Sequence, residues 1–192
     1  MSRRGLVVGF GAGFLALVVL EAAGMVIFTV LTRKTPEEMA DILKPPPIPS
    51  SVDADYDLKL KSLEGEVFDF NTLRGKVVFL TFWNPDCASC LAELATIQTL
   101  YEKTGGDNVA FAVVDVAGEP DAAAEVVEMY HLTMPVYTLA QDRPAVYRSS
   151  TIPSSFVITP GGKIGFKHVG AAKWDEDAAA SFLLNMVGTS PK

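Results

Sequence analysis

Val77-Val78-Phe79-Leu80-Thr81-Phe82-Trp83-Asn84-Pro85-Asp86-Cys87-Ala88-Ser89-Cys90 is the stretch on which the reading of this chain turns. Its first seven residues are all β-branched, aliphatic or aromatic, with Thr81 the one that carries a polar group, as expected of a short central strand buried on both faces. Asn84-Pro85-Asp86 breaks the run. From Cys90 onward, Leu91, Leu94, Ile97 and Leu100 recur at helical spacing, so the cysteines fall on the first turn of a helix that follows a core strand. Unpaired backbone N–H groups and the positive end of the helix dipole favour a thiolate there. Cys87 and Cys90 are the only cysteines in 192 residues, and this placement implies a redox dithiol.

Other uses of the pair fit less well. A structural disulfide closing so small a loop removes on the order of 2 kcal/mol of chain entropy at most. A zinc site needs two more ligands, and His131 and His168 form no ligand-spaced pair. Attachment of c-type haem requires a histidine after the second cysteine, where Leu91 stands. Neither a metal nor a cofactor is expected.

Towards the N-terminus, residues 5–32 are apolar except for Glu21. As a helix they would span about 42 Å, more than the hydrocarbon layer of a bilayer requires. Glu21 costs about 3 kcal/mol of insertion, and the surrounding Leu, Val, Ile and Phe return about 4 to 7. An uncleaved single-pass anchor over residues 1–34 is the expectation. A cleaved signal would set Glu21 where small residues are wanted beside Ala22, Ala23 and Gly24. Arg3 and Arg4 before the span balance Arg33 and Lys34 after it, so charge leaves the orientation tied. Gly5, Gly9 and Gly13 form a small-residue repeat that would let two such helices approach as a homodimer. From Arg33 onward, 14 basic residues against 22 acidic leave a net −8, which argues against nucleic acid and against anionic lipid surfaces as partners of the soluble part.

Residues 35–55 read as a linker, with the extended run Lys44-Pro45-Pro46-Pro47-Ile48-Pro49 at its centre. Residues 56–190 form one domain. In it, residues 56–61 and 66–70 alternate around Glu64-Gly65 as a small hairpin. Residues 109–116 form a second buried strand, and 121–130 a short helix opened by Glu119-Pro120. Residues 155–159 and 163–168 flank Pro160-Gly161-Gly162 as another hairpin. A last helix starts after Trp174, with Asp175, Glu176 and Asp177 complementing its dipole, and stops at Gly188.

This order describes an α/β sandwich of the thioredoxin type. The chain resembles the TlpA/ResA-type membrane-anchored thiol-disulfide oxidoreductases over residues 56–187. The resemblance rests on Gly75-Lys76-Val77-Val78 leading to Phe82-Trp83, on Cys87-Ala88-Ser89-Cys90 and Glu93, and on Ile152-Pro153-Ser154-Ser155-Phe156-Val157-Ile158 and Gly161-Gly162-Lys163-Ile164. It implies a thioredoxin-like three-layer sandwich with an N-terminal β-hairpin and a central helical insertion, preceded by one transmembrane helix. It also implies a domain facing the periplasm or its equivalent, client proteins with cysteine pairs, and a thiol-disulfide electron donor in the membrane.

The site residues follow. Cys87 is the expected attacking thiolate and Cys90 the resolving thiol. Glu93 shares a helical face with Cys90 and could take its proton, the alternative being an ordinary exposed helix glutamate. Pro153 would supply the cis-proline that the resemblance implies, with Ile152 offering backbone hydrogen bonds to a client; the alternative is a trans proline opening a strand. Trp83 reads either as core or as a client contact. The family usually has tryptophan before the first cysteine and often proline within the motif, where this chain has Asp86 and Ala88-Ser89. As a helix N-cap, Asp86 would compete with the Cys87 thiolate for N–H donors, and its charge would repel that thiolate, so the couple is expected to be reducing.

Two readings of other classes remain. Met129, His131 and Met134 are ligand types suited to Cu(I) in a copper-handling chaperone. A redox-inert module could use the proline groove to hold extended chains.

Overall fold

The structure is a computed structural model that describes residues 52–187. The expected anchor over 1–34, with Glu21 and the Gly5/Gly9/Gly13 repeat, lies outside the described residues, as does the expected linker up to residue 51. Among the described residues no helix is long and apolar enough to cross a membrane.

Gly65, at φ 89°, turns the chain between β1 (Lys59–Ser62) and β2 (Val67–Asp69), which pair antiparallel as the N-terminal hairpin. The decisive run becomes β3 (Val77–Trp83), in which every residue is buried. The cysteine helix is α1 (Ala88–Thr104), followed by β4 (Val109–Asp115), α2 (Pro120–Met129) and β5 (Val136–Leu139). The chain closes with β6 (Ser154–Ile158), β7 (Ile164–Val169) and α3 (Asp177–Val187). One mixed sheet results, in the order β2-β1-β5-β4-β3-β6-β7. Within it β3, β4 and β5 run parallel and β6 lies antiparallel to β3.

Alternation along β3 divides the core in two. Val77, Phe79 and Trp83 meet Leu94, Ile97 and Leu100 of α1, Ala123 and Val126 of α2, and Ala180 and Leu183 of α3. Val78, Leu80 and Phe82 meet Tyr56, Leu58, Phe70, Leu73, Tyr147 and Phe156. All three described α-helices therefore pack on one face. The opposite face is covered by the 3-10 helices Phe70–Leu73 and Ala145–Tyr147 and by the segment around Tyr56. The second outer layer of the expected sandwich is thus built from 3-10 helices and extended chain, with no α-helix among the described residues. The crossovers β3-α1-β4 and β4-α2-β5 step the same way across the sheet, and right-handed crossovers in one direction leave both helices on the same side.

Strand β5 has no counterpart in the sequence reading. It pairs with β4 on one side and β1 on the other, and so joins the N-terminal hairpin to the central strands. Helix α2 is the insertion expected between the central strands. At the other end of the sheet, Ala54 N–H donates to the Gly162 carbonyl (2.8 Å) and Ile164 N–H to that of Val52 (2.9 Å), so the chain already pairs with the β6–β7 turn before Tyr56.

Candidate functional site

The chain leaves β3 through a tight turn that Asn84 organises. Its side-chain Oδ1 accepts the Asp86 N–H (2.7 Å) and its carbonyl the Cys87 N–H (3.1 Å). Cys87 then enters α1 as the N-cap residue, with extended backbone angles, and its sulfur accepts the Cys90 N–H at 3.2 Å. A sulfur there takes one of the orphan donors of the first helical turn, which supports negative charge on it. The hydroxyl of Ser89 lies 3.3 Å from the same sulfur.

The cap is thus Cys87 itself and not Asp86, which corrects the expected competition for N–H donors. Asp86 is exposed, and its influence on the sulfur is that of a neighbouring charge. Ser89 was not singled out as a site residue; its hydroxyl, at the motif position where the family often has proline, was the available signal.

Cys87 and Cys90 are joined as a disulfide, with Cα atoms 5.2 Å apart. Their exposure differs: Cys87 is half-buried and Cys90 is 0% exposed. Cys87 is therefore the sulfur a macromolecule can reach, and Cys90 is held behind it in the helical-side core.

Glu93 lies on the next turn of α1 and is 3% exposed, so it is not an ordinary surface glutamate. Its Oε1 accepts two hydrogen bonds, from the Trp174 indole N–H (2.6 Å) and from the Ala172 backbone N–H (3.1 Å). Burial holds the Glu93 carboxyl above the usual carboxylate range, and the bonds from Trp174 and Ala172 oppose that rise. Its Oε2 makes no hydrogen bond among the described residues. The indole clamp was missed in the sequence, where Glu93 and Trp174 stand 81 residues apart.

Across the sheet, the Ile152–Pro153 peptide is cis. Pro153 lies one residue before Ser154, which pairs with Phe82, so the proline sits beside the end of β3 from which the cysteine loop departs. Ile152 and Cys87 are partly buried against the same core. Trp83 is 1% exposed and belongs to that core, the first of its two readings, and so presents almost no surface to a client. The two methionines of the Met129, His131 and Met134 set stand in different surroundings. Met129 is 71% exposed, whereas Met134 is 3% exposed and packs in the core. Among the described residues no group of three or more His, Cys, Asp or Glu could hold a metal ion.

The family model of the AhpC/TSA family matches residues 53–167. The thiol-disulfide oxidoreductase ResA of Geobacillus kaustophilus is 30% identical over 151 residues, covering 77% of this chain and 79% of that protein. ResA of Bacillus cereus is 32% identical over 112 residues, which cover 56% of this chain and 63% of that protein. The match thus spans less than two thirds of the Bacillus cereus protein. Among solved structures, a protein from Chlorobium tepidum described as a DsbE thiol:disulfide interchange protein has a TM-score of 0.63 at 22% identity, covering 73% of this chain and 99% of that chain. StoA of Bacillus subtilis has a TM-score of 0.55 at 22% identity, covering 67% of this chain and 98% of that chain. At such identities the likeness is one of fold, and that fold is thioredoxin-like.

Proposed function

The chain belongs to the AhpC/TSA family, and from that premise we propose that it is a thiol-disulfide oxidoreductase that reduces disulfides of client proteins. The carrying observation is the asymmetry of the dithiol: Cys87 caps α1 within reach of a partner, while Cys90 is buried behind it. The reduced Cys87 thiolate attacks one sulfur of a client disulfide, forming a mixed disulfide and releasing the first client thiolate. Glu93 takes the proton of Cys90. The Cys90 thiolate then attacks the Cys87 sulfur, closing the internal disulfide and breaking the bond to the client, which leaves with two electrons in all. Protons from Glu93 and solvent restore the client thiols.

The same reading places an anchor at residues 1–34 and the domain on the extracytoplasmic side of the cytoplasmic membrane. A membrane dithiol there resets the couple by giving up two electrons and two protons. Clients are proteins with cysteine pairs, of the kind matured for cytochrome c or copper-site assembly. Asp86 supports reduction as the direction, because a carboxylate beside Cys87 disfavours its thiolate and a less stabilised thiolate makes the couple more reducing. The copper-handling and redox-inert readings lack a comparable observation.

The test is the reduction potential of Cys87/Cys90, measured by equilibration in dithiothreitol or glutathione buffers with thiol alkylation as the readout. A value near that of thioredoxin, roughly −270 mV, is expected. A value near roughly −120 mV would make the protein an oxidant and overturn the direction drawn from Asp86.

A further inference from the structure

We propose that Trp174 is a positioning residue for Glu93: its indole N–H holds Oε1 so that Oε2 is left to receive the Cys90 proton. The inference rests on the reading of Cys87 and Cys90 as an exchanging pair.

A closed circuit of hydrogen bonds carries it. The Thr96 hydroxyl donates to the Glu93 carbonyl (2.8 Å) and accepts the Trp174 backbone N–H (3.2 Å), while the Trp174 indole donates to Glu93 Oε1 (2.6 Å). One residue of the segment before α3 is thus fastened at two points to one turn of α1. The indole cannot swing away, because Phe79 meets it edge-on at 5.0 Å between ring centroids, with Phe166 and His168 each at 6.0 Å.

An indole N–H is a donor only and does not ionise, so the polarity of this contact is fixed. It favours the charged carboxylate against burial, and with the Ala172 N–H it converges on a single oxygen. A plain packing role would need neither the 2.6 Å bond nor the shared oxygen.

Few ionisable groups face this pair. Cys90 lies one turn before Glu93 on α1, with Cys87 at the cap. His168 of β7 is edge-on to the indole, and Lys173 beside Trp174 is exposed. Lys103 at the far end of α1 is engaged with Asp177 of α3 and the Asp175 carbonyl.

The experiment uses two variants of the full chain. Trp174→Phe removes the N–H with part of the ring, and 3-benzothienylalanine placed at Trp174 removes the N–H alone while keeping the bicyclic shape. Two readouts are taken. The titration of the Glu93 side-chain carboxyl is followed by carbon-13 NMR, with Glu93→Gln for assignment. The reduced protein is also mixed with Ellman's disulfide, whose first thionitrobenzoate is released by Cys87 attack and whose second is released when Cys90 closes the ring.

In both variants the Glu93 titration is expected to move to higher pH. The second release should slow about tenfold at neutral pH, the loss of one charge-assisted hydrogen bond, with its acidic limb moved upward. The first release should be unchanged. A Glu93 titration and second release equal to those of the unaltered chain, in the benzothienyl variant, would overturn the proposal. Absence of a second release from the unaltered chain would instead overturn the exchange reading, and the Glu93 titration would still decide whether Trp174 governs that carboxyl.

Discussion

At Glu93, burial and hydrogen bonding act in opposite directions on one carboxyl, and burial is the larger. The folded protein therefore binds this proton more tightly than the unfolded chain does. The associated stability is full below the ordinary carboxylate range and is lost as pH rises through the raised folded value. Glu93→Gln keeps an oxygen to accept from Trp174 and Ala172 and removes the buried charge. It should stabilise the oxidised protein at pH 7 by on the order of 1 kcal/mol, with the gain fading towards pH 4. Urea denaturation at the two pH values measures this, and an equal gain at both would show that charge is not the cause. The three-residue spacing from Cys90 placed Glu93 on the dithiol face in the sequence. Its burial did not show there, because the groups that cover it, Ala172 and Trp174, arrive 79 and 81 residues later. Asp86 is the reverse case. Its identity suggested a cap, but the turn made by Asn84 moves the cap to Cys87.

Helix α1 does more than present the cysteines. On its inner face Gln98, 8% exposed, accepts the N–H groups of Thr133 (2.9 Å) and Met134 (3.2 Å) through Oε1, and its Nε2 donates to the Thr133 hydroxyl (2.7 Å). One amide thus fixes the lead into β5, the strand the sequence reading lacked. Val136–Leu139 is four residues long and follows Pro135, so it offered too little pattern to stand out. Its place is set by partners on both sides and by Gln98. Gln98→Leu fills similar space but strands the Thr133 and Met134 donors, and should cost about 2 to 3 kcal/mol in urea denaturation. A loss below about 0.5 kcal/mol would mean that water takes over those donors. By contrast, β3, β4 and the β6–β7 hairpin were legible within a residue or two, and α1 in its start and its apolar face. Their apolar runs are long or strictly periodic, and Gly or Pro marks their ends.

Across the whole molecule, the sheet has α-helices on one side only among the described residues, and two 3-10 helices with a few large side chains close the other. Tyr147 is 0% exposed, with its ring 6.1 Å from Phe82 and 5.4 Å from Phe156 between centroids. Burial pushes its phenol well above the ordinary tyrosine range. With no α-helix on that face to collapse inward, Tyr147→Ala should cost about 3 to 5 kcal/mol, measured as the shift in urea midpoint at unchanged slope. A cost near 1 kcal/mol would show that the 3-10 cover can repack. The cysteine motif, the helix that carries it, the central strands and the family resemblance were all determined by the sequence, because each depends on neighbours a few positions away. Tertiary structure alone decided that every described α-helix falls on one face, that Cys90 is fully buried while Cys87 is half-buried, and that Trp174 closes on Glu93. Those features depend on which distant residues meet across the sheet, and crossover handedness and burial set that pairing where local periodicity carries no record of it.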